Sequence, residues 1–200
     1  MIIAGMDEVG RGPLAGPICA VIAVFNVHLE YPLTGVTDSK KLTAKKREKL
    51  YHDILRHPNL LDFGVGMCSN EEIDKLGIQK CNHMVFDRAV EHLDMQLQNI
   101  EILWVDGTLK QWGSHILRPQ IIHEPKADGT YWQVGAASIL AKVIRDQYMR
   151  DLSREYPQYG WEKNSGYGGA EKHQKALKTF GPTPYHRKTF LKRSFSENHS

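Results

Sequence analysis

The chain has 200 residues, 41% of them hydrophobic, with 26 Lys and Arg against 23 Asp and Glu and a formal net charge of +3. That length suffices for one globular domain that buries roughly 70% of the unfolded chain's surface. The longest uncharged run, 12–29, is broken by Pro13, Gly16, Pro17, Asn26 and His28, which excludes a membrane span, and three cysteines without CxxC spacing exclude a disulfide framework. No basic leader precedes Asp7, so the cytoplasm is the expected compartment.

In chain order, 2–6 reads as a short buried strand and 18–25, rich in Val and Ile, as a second one after a Gly- and Pro-rich turn. Asp38, Ser39 or Thr43 can cap a lysine-rich helix that runs to about Arg56. "DFGVGMCS" is a strand thinned by glycines, and a helical pattern follows from Glu71 to about Gln96 with a break near Gly77. "EILWVDG" is a strand ending at Asp106, and "HILRPQIIHEP" is one more, which Pro119 places at an edge. A long helix spans about 134–155, then come a glycine-rich loop, a shorter helix at about 170–180 and a polar tail over 191–200. Strands mixed with helices in this order predict an α/β domain with a mixed sheet, its last portion helical from about residue 156.

The charge is uneven. Residues 40–49 carry six basic residues against one acid and 171–193 carry seven against one, so the remainder holds 13 basic against 21 acidic residues. Two basic lobes of this kind suit a polyanion backbone, or are solvated helix faces. Asp7 and Glu8 stand together at the end of the first strand and Asp106 at the end of another. If those strands pair, their acids reach a common divalent cation, Mg²⁺ or Mn²⁺; the alternative is that they face water or cap a turn. Successive strand residues point to opposite faces, so Asp7 and Glu8 share a site only if the strand ends or bulges there, and Gly10-Arg11-Gly12 can supply that break.

The same glycines let a ligand approach the backbone, and Tyr167 in "SGYGG" either stacks on a sugar or anchors its loop. His186, beside Arg187 and Lys188, fits a phosphate contact or a surface residue better than a metal ligand, having no second histidine at ligand spacing. On the long helix, Ala137, Leu140, Ala141, Ile144 and Tyr148 form an apolar stripe, and Asp146 lies nearly opposite, a solvated residue with Lys142 as its partner one turn earlier.

Taken together, "DEVGRGPLAGP", "DSKKL", "VDG", "AASILAKVIRD", "GYGG" and "GPTPYHRKTF" resemble, in order and over residues 2–190, the ribonuclease HII family, the type 2 ribonucleases H. The resemblance implies a ribonuclease H-like fold: one catalytic domain over 1–190 with a helical C-terminal portion along the substrate groove. It implies a metal-dependent endonuclease that cuts the RNA strand of RNA/DNA hybrids and nicks duplex DNA 5′ of an embedded ribonucleotide, leaving a 3′-hydroxyl and a 5′-phosphate. By the same resemblance Asp7, Glu8, Asp106 and Asp146 form a quartet that is catalytic and holds two divalent ions, Mg²⁺ or Mn²⁺. Gly10, Arg11 and Gly12 read the 2′-hydroxyl through main-chain groups, Tyr167 packs on the following sugar, and Lys40, Lys41, Lys142, His186 and Arg187 meet backbone phosphates.

Three positions depart from the family pattern: Ala127 stands where glycine is common, Ser165 where lysine is often found, and Gly169 in place of threonine. They bear on substrate positioning. A non-catalytic hybrid-binding module is the rival expectation, disfavoured by the presence of all four acids; a junction resolvase or type 1 enzyme is disfavoured by the "GRG" and tyrosine loops. Nothing in the sequence demands a membrane or more than a monomer.

Overall fold

The computed structural model describes residues 1–27, 33–36, 39–107, 112 and 119–197. In chain order these form β1 (Ile2–Val9), β2 (Ile18–Asn26), α1 (Ala44–Leu55), β3 (Leu60–Cys68), α2 (Asn70–Leu76), α3 (Ile78–Glu91), β4 (Ile102–Asp106) and β5 (Gln120–Glu124). There follow α4 (Ala127–Thr130), α5 (Trp132–Glu155), α6 (Trp161–Asn164), α7 (Glu171–Phe180) and α8 (Lys188–Glu197), with short 3₁₀ turns at Ser39–Lys41, Leu97–Asn99 and Pro157–Tyr159. Two compact bodies divide the chain: Met1–Val9, Cys19–Met67 and His83–Val143 form the first, and Gly10–Ile18, Cys68–Asn82 and Ile144–Ser200 the second.

The first body is built on the sheet, in the order β3-β2-β1-β4-β5. β1 and β2 are antiparallel and in register from Ile2↔Asn26 to Val9↔Cys19; β4 runs parallel to β1, and β5 parallel to β4. Sequence explains the centre: β2 is apolar except at Asn26 and is buried along its length to Phe25, as expected of a strand covered on both faces. Glycines mark where helices cross. A Cβ on Gly64 would run into the Ala89 carbonyl and one on Gly66 into the Val85 carbonyl, so the glycines of "DFGVGMCS" exist to admit α3. Gly5 admits the start of α5 in the same way, its missing Cβ leaving room for the Gln133 main chain. β5 lies at the sheet edge, in agreement with Pro119 just before it.

In the second body a core of Ala15, Met149, Tyr159, Trp161, Ala176, Leu177 and Leu191 gathers the loop after β1 with the C-terminal helices. A capping box, Ser69 with Glu72, starts α2, and Gly77 at φ 83° ends it, which is the break that the sequence suggests. Two expectations need revision. The C-terminal portion does not begin at 156: segments 10–18 and 68–82 belong to the same body. The polar tail over 191–200 is not a tail throughout, since α8 continues to Glu197 and buries Leu191.

Candidate active site

β1 does not end or bulge at the acids, contrary to expectation. Asp7, Glu8 and Val9 keep regular pairs with Val21, Ala20 and Cys19 of β2. What ends is the partner on the other side: the β1–β4 pairing stops at Met6↔Val105, so Asp7 and Asp106 are the next residues on two adjacent parallel strands. Alternation then puts both on the face that carries Gly5 and Trp104. Asp106 Oδ1 accepts from Ala127 N (2.7 Å), at the start of α4. At Ala127 the departure from glycine is tolerated, because the left-handed residue of that turn is Lys126, at φ 63°.

Asp7 is 6% exposed. Burial pushes its carboxyl well above the usual carboxylate range, and the charges of Glu8, Asp106 and Asp128 push the same way, while a hydrogen bond with Ser138 opposes them. Ser138 on α5 is tied to Ser39 by a hydroxyl–hydroxyl hydrogen bond (2.9 Å), which brings Ser39 to this site. Asp7 Oδ1 accepts from the Glu8 N–H (2.7 Å), and among the described residues no three His, Cys, Asp or Glu side chains stand at metal-ligand spacing. A buried carboxyl crowded by three others, all hard oxygen donors, fits a divalent cation of the Mg²⁺ type.

In the second body two buried arginines tie down the loop after β1. Arg145 Nε donates to Pro17 O (2.8 Å), Nη2 to Ala15 O (3.2 Å) and Nη1 to Ser165 O (2.9 Å). Arg187 Nε donates to Gly16 O (3.0 Å), Nη1 to Arg11 O (2.9 Å) and Nη2 to Gly10 O (2.6 Å). Both guanidiniums are 0% exposed. Burial, with the neighbouring Arg145 charge, lowers Arg187 to about 9, so it stays charged at neutral pH. Gly10 is at φ 93° with no room for a Cβ beside Arg145, and Leu14 N donates to Gly166 O (2.8 Å), joining this loop to the tyrosine loop. A Cβ on exposed Gly12 would stand 3.9 Å from Tyr167, whose ring is 41% exposed. Asp146, half-buried on α5, accepts from the Ser165 hydroxyl (2.7 Å).

His186 and Arg187 are therefore not phosphate contacts in this structure: both are 0% exposed and engaged with protein groups. Thr183 N donates to His186 Nδ1 (2.9 Å), and His186 Nε2 faces His173 Nε2 (3.0 Å), whose Nδ1 faces Tyr167 O (3.0 Å). The partners assign the protons: His186 carries its proton on Nε2 and His173 on Nδ1, both rings neutral. Lys41 and Arg11 are exposed and Lys142 is half-buried; the side chain of Lys40 lies outside the described residues. The expected apolar stripe on α5 also changes along the helix. Ala137, Leu140 and Ala141 are buried as predicted, but Tyr148 is 37% exposed while Arg145 and Met149 are 0% exposed. Arg145 carries no site signal of its own in the sequence; the glycines of "GRGPLAGP" signal that large side chains, Arg145 and Met149, lie against that loop.

The sheet, its flanking helices and the carboxylates at the ends of two adjacent parallel strands define a nuclease of the ribonuclease H-like class. The ribonuclease HII family model matches residues 4–198. Ribonuclease HII of Ruegeria pomeroyi is 45% identical over 188 residues, covering 94% of this chain and 75% of its own length, and that of the Wolbachia of Brugia malayi is 41% identical over 195 residues, covering 94% and 87%. The crystal structure of ribonuclease H2 from Pyrococcus horikoshii superposes with a TM-score of 0.81 at 30% identity, over 100% of both chains. The chain belongs to the ribonuclease HII family. It is an endoribonuclease, a metal-dependent hydrolase acting on the RNA of RNA/DNA hybrids.

Proposed function

We propose that this ribonuclease HII also nicks duplex DNA on the 5′ side of a single embedded ribonucleotide, leaving a 3′-hydroxyl and a 5′-phosphate. The observation that carries the metal-dependent part of the reading is geometric: the buried Asp7 and the half-buried Asp106 are the residues that follow the last pair of two adjacent parallel strands. Two divalent ions, Mg²⁺ or Mn²⁺, supply charge for the scissile phosphate, activation of the attacking water and stabilisation of the leaving 3′-oxygen. Asp7, Glu8 and Asp106 hold them from the first body. Asp146 joins as the fourth acid on the resemblance of its motif, "AASILAKVIRD".

Recognition falls to the second body. The main chain of Gly10, Arg11 and Gly12 reads the 2′-hydroxyl, and Tyr167 packs on the following sugar, where deoxyribose is accepted. The nearness of Gly12 to Tyr167 supports this division, as do the arginines that fix the carbonyls of Gly10 and Arg11. Lys40, Lys41 and Lys142 remain as candidate phosphate contacts, giving affinity that falls steeply with salt and has little sequence preference. Burial removes His186 and Arg187 from that group. Three buried thiols, Cys19, Cys68 and Cys81, suit the reducing cytoplasm as the proposed setting.

A labelled duplex with one ribonucleotide, incubated with Mg²⁺ or Mn²⁺, tests the reading. Cleavage 5′ of the ribonucleotide, lost with EDTA and reduced at least about 1,000-fold in Asp7→Asn, is expected. An intact single-ribonucleotide duplex beside a cleaved hybrid would overturn it.

A further inference from the structure

Ser165 adopts φ 49°, one of two non-glycine residues with positive φ among those described. This conformation is disfavoured for an L-residue with a Cβ and is the usual place for glycine. The surrounding groups over-determine it. Its N–H donates to Trp161 O (2.9 Å), its carbonyl accepts from Arg145 Nη1 (2.9 Å), and its hydroxyl donates to Asp146 Oδ1 (2.7 Å), all in a site where Ser165 is 8% exposed. Consecutive residues of α5 thus hold both ends of one serine.

The turn itself has other supports. Asn164 Oδ1 accepts from Gly166 N (2.9 Å) and Asn164 Nδ2 donates to Tyr159 O (2.8 Å), so the hydroxyl is not what closes the turn. Gly166, at φ 83°, has no room for a Cβ beside Ala15 O, and the chain uses glycine there; one residue earlier it keeps a strained serine whose side chain reaches a carboxylate. Strain retained at a side chain that touches a reactive group points to function.

We propose that Ser165 is a positioning residue: its hydroxyl fixes the torsion of the Asp146 carboxylate so that Asp146 presents one orientation to a divalent cation. The proposal rests on the reading of Asp146 as the fourth acid of the metal site. Ser165 acts through Asp146, which its hydroxyl reaches at 2.7 Å.

The test titrates the full-length protein with Mn²⁺, following bound ion by water-proton relaxation, for wild type, Ser165→Gly, Ser165→Ala and Asp146→Asn, and records each melting temperature in EDTA. Ser165→Gly relieves the backbone strain, so it should melt no lower than wild type, while binding at the weaker Mn²⁺ site falls about tenfold, as for loss of a hydrogen bond to a charged group. Ser165→Ala should weaken binding equally and melt below Ser165→Gly. Binding within twofold of wild type in both serine variants would overturn the positioning role. So would a loss of Mn²⁺ binding that comes with a collapse of the Ser165→Gly melting temperature, since the hydroxyl would then serve the fold. If Asp146→Asn binds Mn²⁺ as wild type does, it is the metal reading of Asp146 that fails.

Discussion

Asp7 is where stability and activity oppose each other most sharply. A carboxyl whose folded-state pKa is raised prefers to be protonated in the native chain, so its ionisation destabilises the fold at every pH above its ordinary value of 3.8. Replacing it with asparagine removes the charge and keeps the shape. In EDTA at pH 7.5, Asp7→Asn should melt higher than wild type by several degrees, although it is inactive. Added Mg²⁺ should then raise the melting temperature of the wild type and leave that of the variant nearly unmoved. An Asp7→Asn protein that melts lower than wild type in EDTA would deny that these carboxylates repel one another. The buried arginines were not legible in the sequence for a related reason. Charged residues are read as surface, and it is the carbonyls of Gly10, Arg11, Ala15, Gly16, Pro17 and Ser165, which arrive from a glycine-rich loop and a distant turn, that help to make two buried guanidiniums tolerable.

Among the elements, strands were read better than the long helix. β1 and β2 are short apolar runs bounded by polar or turn residues, and the structure extends the first of them by three residues because β2 continues to pair with it past the end of β4. α5 misleads a helical wheel: 133–141 is buried all round, where no polar face exists to orient the reading, and the C-terminal half then buries Arg145 and Met149. Asp146 consequently looks like a solvated residue, and only the motif that surrounds it marks it out. The crossing of α5 over β1 gives an element-scale prediction. Gly5→Ala sets a methyl against the Gln133 main chain, which has no rotamer to yield, so it should cost about 3 kcal/mol or more of stability in urea unfolding and separate α5 from the acid-bearing strand. Unchanged stability in Gly5→Ala would place the helix farther from β1 than the structure has it.

At the scale of the whole molecule, pH connects the two bodies' chemistry with stability. His57, His123, His173 and His186 are all held below the ordinary histidine value of 6.5, chiefly by burial, His186 to about 4. A depressed histidine favours the neutral ring in the native state, so the unfolded chain binds more protons as pH falls. The stabilisation is present above pH 6.5 and lost between 6.5 and about 4; for His186 alone the shift is worth up to about 3 kcal/mol. Urea unfolding of Asp7→Asn, which removes the opposing contribution of that carboxyl, in EDTA at pH 7.5, 6 and 4.5 should show a progressive loss over that window. A flat profile would contradict the neutral His173–His186 pair. The global architecture was legible because the order of strands and helices, and the motifs placed on them, cover nearly the whole chain. The division into two bodies was not, since it groups the loop after β1 with α2 and the C-terminal helices, segments far apart in sequence. The C-terminal stretch was misjudged because its polar residues hide Leu191, which packs into the second core.

Asp7, Glu8, Asp106 and Asp146 are proposed to hold one pair of cations. Anomalous diffraction from crystals loaded with Mn²⁺ locates bound ions independently of activity. Two peaks are expected, at a site that Asp7 and Asp146 would both help to hold. Peaks that avoid Asp7, or a site completed without Asp146, would contradict that assignment.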